Sequence, residues 1–185
     1  AYQYSSFKRL VVSKRKGLIM SKRPNYHTSE KTGQTKIALY ERIRQMLAIE
    51  RVCTRFHLVA QRLRSRYENR ETFVVSDEHD VQDLLQALLT LEFDDIRPVE
   101  WTPSYSTGKP RRDFLLKLEQ IVVMAKLASA NFETMALAEQ LRIDVEHYQQ
   151  NPECKTLVCF VYDPERQIPE PRKVENNLSG ENGLN

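Results

Sequence analysis

At 185 residues the chain can bury one sizeable core, and a hydrophobic content of 41% belongs to the globular class rather than to a disordered or collagenous one. No apolar run approaches the roughly 18 residues of a helical membrane span, and the first residues lack the apolar core of a secretory signal, so a cytoplasmic protein is expected. The net charge of +3 is unevenly spread: residues 1–36 hold nine Lys or Arg against Glu30 alone, and the rest of the chain carries a net −5.

The basic stretch 1–36 is rich in Ser, Lys and Gly, and reads as an arm that is flexible or docks a partner. A basic segment ahead of a mildly acidic body points to an anionic partner, most simply nucleic acid, with Lys14, Arg15 and Lys16 as its densest cluster. Tyr2, Tyr4, Phe7 and Tyr26 interleave with the cations, a pattern that serves base stacking, although packing is the simpler reading.

From Ile37 to about Tyr67 apolar residues at 39, 43, 46, 53, 56, 60, 63 and 67 step by three and four, with one double step from 46 to 53, along one long amphipathic helix or two helices end to end. Arg42, Arg44, Arg51, Arg55, Arg62, Arg64, Arg66 and Arg70 decorate it. Their density suits phosphate binding, although a solvated helix face is the simpler reading. A second helix is expected from Ser76 or Asp77, with Asp77, Glu78 and Asp80 favouring its N-terminal dipole and Val81, Leu84, Leu85, Leu88 and Leu91 as its core face.

Ile96–Trp101 reads as a short strand and Thr102–Pro110 as a loop, with Trp101 and Tyr105 beside it as aromatic packing. Asp113–Lys117 and Ile121–Lys126, parted by Glu119-Gln120, form an expected hairpin. A helix follows from about Phe132 to Gln150, ended by Asn151-Pro152. Thr156–Tyr162 is almost wholly apolar, as a strand covered on both faces should be, and a polar tail begins at Ile168. The order predicts a mixed α/β fold, a central β-sheet flanked by helices. Cys53, Cys154 and Cys159 are too few and scattered for a disulfide framework or a zinc site, and read as reduced thiols.

Several separate segments then match one family in order: Val81-Gln82-Asp83-Leu84-Leu85, Asp94-Asp95-Ile96-Arg97-Pro98, Glu100-Trp101-Thr102-Pro103-Ser104-Tyr105, Asp113-Phe114-Leu115-Leu116-Lys117 and Val158 to Pro164. Over roughly residues 40–180 the chain resembles a bacterial restriction and phage-defence branch of the PD-(D/E)xK restriction-endonuclease-like nucleases. The resemblance implies a restriction-endonuclease-like core at 76–168, with a helical extension at 37–75 ahead of it, the basic arm at 1–36 and a polar tail at 169–185. It also implies a hydrolase acting on phosphodiester bonds, with Mg²⁺ as cofactor if the site is active. DNA is the implied partner, beside a protein subunit of a defence complex or a second copy of the chain.

In that superfamily an Asp and a Glu on a hairpin hold Mg²⁺, and a Lys two residues after the Glu assists. Residues two apart on a strand point the same way, so such a Glu and Lys share one cleft. Carried over, Asp113 matches the first carboxylate and metal ligand, and Lys126 the lysine, but the Glu position is Met124. A soft, neutral thioether cannot replace a carboxylate at a hard Mg²⁺ site.

Three readings follow: a dead site with Met124 turned into core, a carboxylate relocated to the following helix at Glu133 or Glu139, or a compensating acid at Glu78, Asp80 or Asp83. By the same resemblance Gln140 and Tyr148 line the cleft and touch DNA, while a buried Tyr with a satisfied hydroxyl explains Tyr148 equally well. The resulting expectation is a degenerate DNA nuclease that still binds DNA. Its alternatives are an active Mg²⁺-dependent endonuclease and a non-catalytic interaction subunit.

Overall fold

The fold is that of a computed structural model, which describes residues 29–101, 111–128 and 134–171. Helix α1 spans Ser29–Arg64 and α2 Glu78–Leu89. Strands β1 (Ile96–Trp101), β2 (Arg111–Leu116) and β3 (Ile121–Leu127) follow, then helix α3 (Thr134–Gln150) and strand β4 (Thr156–Tyr162). The strands form one sheet in the order β1-β2-β3-β4. The two hairpin-type pairings are antiparallel, and β3 lies parallel to β4 across the α3 crossover. This is the expected mixed α/β arrangement.

The local chemistry explains the elements. Asp77 caps α2 by accepting from the Asp80 backbone N–H at 3.0 Å, while the Asp80 carboxylate accepts from the Asp77 N–H at 3.2 Å, a reciprocal capping box. Pro98 has no N–H to give a sheet and is tolerated because β1 is an edge strand. Strand β4 is buried along its whole length, as its unbroken apolar run requires.

Two apolar layers sandwich the sheet. On one face Phe114, Leu116, Val123, Ala125, Val158 and Phe160 meet α1 and α2 through Ile49, Phe56, Val81 and Leu85. Phe56 is fully buried, its ring centroid 5.1 Å from that of Phe160 and 4.9 Å from that of Tyr162. On the other face Leu115, Val122, Met124, Leu157, Cys159 and Val161 meet Leu141, Val145 and Tyr148 of α3. Thus α1, expected as an extension, packs into the same core as the sheet.

Some expectations need correcting. The helix begins at Ser29, so the last eight residues of the basic stretch are helical. A started helix adds residues at little cost even where no apolar stripe supports them. Its core seam runs through Ala48, Ile49, Val52, Cys53, Phe56 and Ala60, while Leu39, Ile43 and Tyr67 are exposed. Leu91, assigned to the α2 core face, follows the C-cap Thr90 and is 79% exposed. Ile168 is buried, not part of a solvated tail: the Asp163 carboxylate accepts from the backbone N–H groups of Gln167 (2.7 Å) and Ile168 (3.0 Å), turning the chain back onto the sheet. The three cysteines are buried and form no disulfide. No helix among the described residues is long and apolar enough to cross a membrane.

Candidate functional site

Strands β2 and β3 pair with Phe114 opposite Val123 and Leu116 opposite Ile121. One step further along that register sets Asp113 across from Met124, with Lys126 two residues on. Side chains alternate along a strand, so Asp113 and Leu115 of β2, and Val122, Met124 and Lys126 of β3, face α3. Asp113 and Lys126 therefore lie on the same face of the sheet, near the open end of one hairpin.

Helix α3 supplies a partner to each. The Tyr148 hydroxyl donates to Asp113 Oδ2 at 2.6 Å, a short bond of the kind made to an ionised acceptor. One turn earlier, Asp144 Oδ2 stands 3.4 Å from Lys126 Nζ, an ion contact longer than an aligned N–H···O bond. Asp113, Lys126, Asp144 and Tyr148 are all buried, at 0%, 5%, 7% and 2% exposure. Residues four apart on a helix share a face, so Asp144 and Tyr148 reach two points of the same hairpin. His147, beside them, has its ring pushed below the ordinary histidine range by desolvation, which the negative charge of Asp144 offsets in part.

Met124 sits among these groups at 0% exposure, packed in the cluster that contains Leu141 and Val145. Mg²⁺ takes oxygen ligands in near-octahedral array. The strand pair offers Asp113 and, where the nuclease motif carries its second carboxylate, a thioether. Among the described residues no group of three or more His, Cys, Asp or Glu side chains could hold a metal ion. The donor set of the hairpin alone does not fit Mg²⁺.

The other sequence candidates fall outside this cluster. Glu139 is exposed on α3, where both oxygens accept from Arg142 (2.9 and 2.6 Å); that guanidinium holds its carboxyl below the usual range. Gln140 is half-buried one residue on. Asp80 serves the α2 cap and Asp83 is exposed on the same helix, with Glu78 in its first turn. Lys14, Arg15, Lys16, Tyr105 and Glu133 lie outside the described residues. Asp144 is the residue that sequence reasoning missed. Its signal is its place in the stripe Leu141, Val145, Tyr148: an acid on the buried side of a helix needs a partner.

A mixed sheet whose hairpin carries Asp113 and Lys126 toward one crossover helix defines a restriction-endonuclease-like core of the PD-(D/E)xK class. The family model for the DpnII-MboI restriction endonucleases (REase_DpnII-MboI) matches residues 47–185, and the chain belongs to that family. No curated protein and no solved structure matches the chain.

Proposed function

We propose that this chain is a DNA-binding domain of a bacterial restriction or phage-defence system, derived from a nuclease and no longer able to cut. Met124 carries the reading. It occupies the second carboxylate position of the motif, beside Asp113, and its side chain is spent on the apolar cluster under α3. The remaining polar groups have protein partners, Tyr148 for Asp113 and Asp144 for Lys126. DNA binding follows from the restriction-endonuclease family. In this reading Lys14, Arg15 and Lys16 add phosphate contacts, Gln140 borders the cleft, and a protein subunit of the same system supplies the chemistry.

A second reading is favoured by one observation, the approach of Asp144 to Lys126. Here Asp144, rather than Glu139, is the relocated carboxylate, holding Mg²⁺ together with Asp113 in an active endonuclease. Lys126 would then sit beside the attacking water.

The two are separated by incubating the protein with plasmid, linear and single-stranded DNA and with RNA, in Mg²⁺ or Mn²⁺. Asp113→Ala, Lys126→Ala and Asp144→Asn run beside it, with calorimetry for metal binding. The expected result is DNA retention without cleavage or metal-binding heat, and a gain of that heat in Met124→Glu. Cleavage by the parent that all three substitutions abolish establishes the second reading instead.

A further inference from the structure

Helix α1 carries eight basic residues and three acidic ones over its 36 positions. Four of the eight basic residues are aligned. At about 100° per residue, Arg44, Arg51, Arg55 and Arg62 fall within about 20° of a single line along the helix. That line is turned roughly 100° from the seam of Ala48, Val52, Phe56 and Ala60 that enters the core. All four arginines are exposed. From Arg44 to Arg62 the ridge runs about 27 Å.

A solvated helix usually intersperses both signs along a face. Helix α3 does so: Arg142 lies between Glu139 and Glu146 and bonds to both. The α1 ridge does not. Its acidic neighbours are Glu41, 3.1 Å from Arg44, and Glu92, 3.5 Å from Arg51, both exposed pairs of the kind that contribute little and yield to a stronger anion. Among the described residues no carboxylate lies within ion-pair reach of Arg55 or Arg62. Tyr40 and Leu58, 71% and 41% exposed, run along its edge and add an apolar margin.

We propose that this ridge binds the phosphate backbone of duplex DNA, forming a second contact surface on the layer of the molecule away from the hairpin site. The proposal rests on the DNA-binding reading above and gives that binding a location. Guanidinium groups match phosphate oxygens in bidentate fashion. At 3.4 Å per base step on one strand, the ridge spans about eight base pairs. The contacts are to the backbone and carry no sequence preference of their own.

The test is fluorescence anisotropy on a labelled duplex longer than two helical turns, titrated from about 50 to about 200 mM salt. Arg55→Gln/Arg62→Gln should bind at least tenfold more weakly at the low-salt end, with a log–log salt slope shallower by about two. Arg55→Lys/Arg62→Lys, which keeps the charge, should retain the parent slope. Both positions are exposed, so thermal melting should match the parent in every arginine variant. A Gln pair with the parent's affinity and slope overturns the ridge while leaving DNA binding standing. A parent that does not bind the duplex overturns the DNA reading itself, and the ridge falls with it.

Discussion

The two faces of the sheet are built on different principles. Against α1 and α2 the sheet presents Phe114, Leu116, Val123, Ala125, Val158 and Phe160, a layer that is largely apolar. Among the described residues its buried polar groups are Gln82 on α2, the Thr156 hydroxyl bonded to Arg42 and the Tyr162 hydroxyl 2.9 Å from His57 Nδ1, with no ion pair among them. Such a face depends mainly on shape and volume, and its buried side chains contribute about 25 cal/mol per Å² removed from water. Against α3 the sheet presents Leu115, Val122 and Met124 together with Asp113 and Lys126, answered by Tyr148 and Asp144. A buried charge costs several kcal/mol unless its counter-charge is in place, so these groups are stable in pairs and costly singly. Stability on the first face is distributed; on the second it is conditional. Polar groups stand here where packing alone would choose Leu.

The sharpest way to break this contrast is to remove one member of the ion pair. Asp144→Ala should destabilise the fold by about 3–5 kcal/mol, because Lys126 is left charged and buried. Combining it with Lys126→Met should recover much of that loss, since a well-packed apolar pair is often neutral or better. Urea unfolding of the two single variants and the double variant measures the coupling. If the single changes cost little and simply add, the pair is not a unit and the contrast between faces is gone.

Tyr148→Phe probes the other pair at smaller scale. It keeps the ring in the cluster with Leu141 and Val145 and deletes only the hydroxyl that donates to Asp113. A hydrogen bond to a charged group contributes about 1.5–3 kcal/mol, and a loss of that size in the same urea assay is expected. Adding Asp113→Asn should cost less in the Tyr148→Phe background than in the parent, because the partner it would have lost is already absent. Equal costs in both backgrounds would show that the carboxylate is held by something other than this hydroxyl.

How far the sequence foretells these faces differs in the same way. The apolar runs Thr156–Tyr162 and Ile121–Ala125 show strands before any coordinates, because such patterning is local, while the shared face of Asp113 and Lys126 is what the family resemblance implies. The start of α2 is equally local, since Ser76-Asp77 with Asp80 three residues on is a capping signal. Asp144 is not local in this sense. Its meaning depends on α3 lying across β3 so that one turn of helix spans Asp113 and Lys126, which is a tertiary fact. Glu139, a carboxylate that the sequence offers for relocation, turns outward to Arg142. Ile168 is similar: only the Asp163 carboxylate, closing the loop behind it, brings that residue home. The Arg line on α1 lay between the two cases, because its spacing was visible in the sequence while its exposure and scarcity of acidic neighbours were not.

The smallest expected effect concerns the helix cap on the apolar side, and it sharpens the comparison by isolating an acid-sensitive contribution there. Burial acts to raise the Asp80 carboxyl, but the Ser76 hydroxyl and the Ser76 and Asp77 backbone N–H groups outweigh it and hold the carboxyl below its ordinary value. A carboxylate depressed in the folded state stabilises that state at pH values above its unfolded pKa, and loses this contribution as pH falls through the folded value. Asp80→Asn should therefore melt below the parent at neutral pH, with the gap closing as the pH drops below the range where free aspartate titrates. Asp77→Ala, which removes the cap oxygen itself, should cost about 1 kcal/mol. Neither change should alter the Asp144–Lys126 coupling, because the cap lies on the far side of the sheet from that pair. A coupling that shifted with the cap would mean that the two faces are not energetically separate.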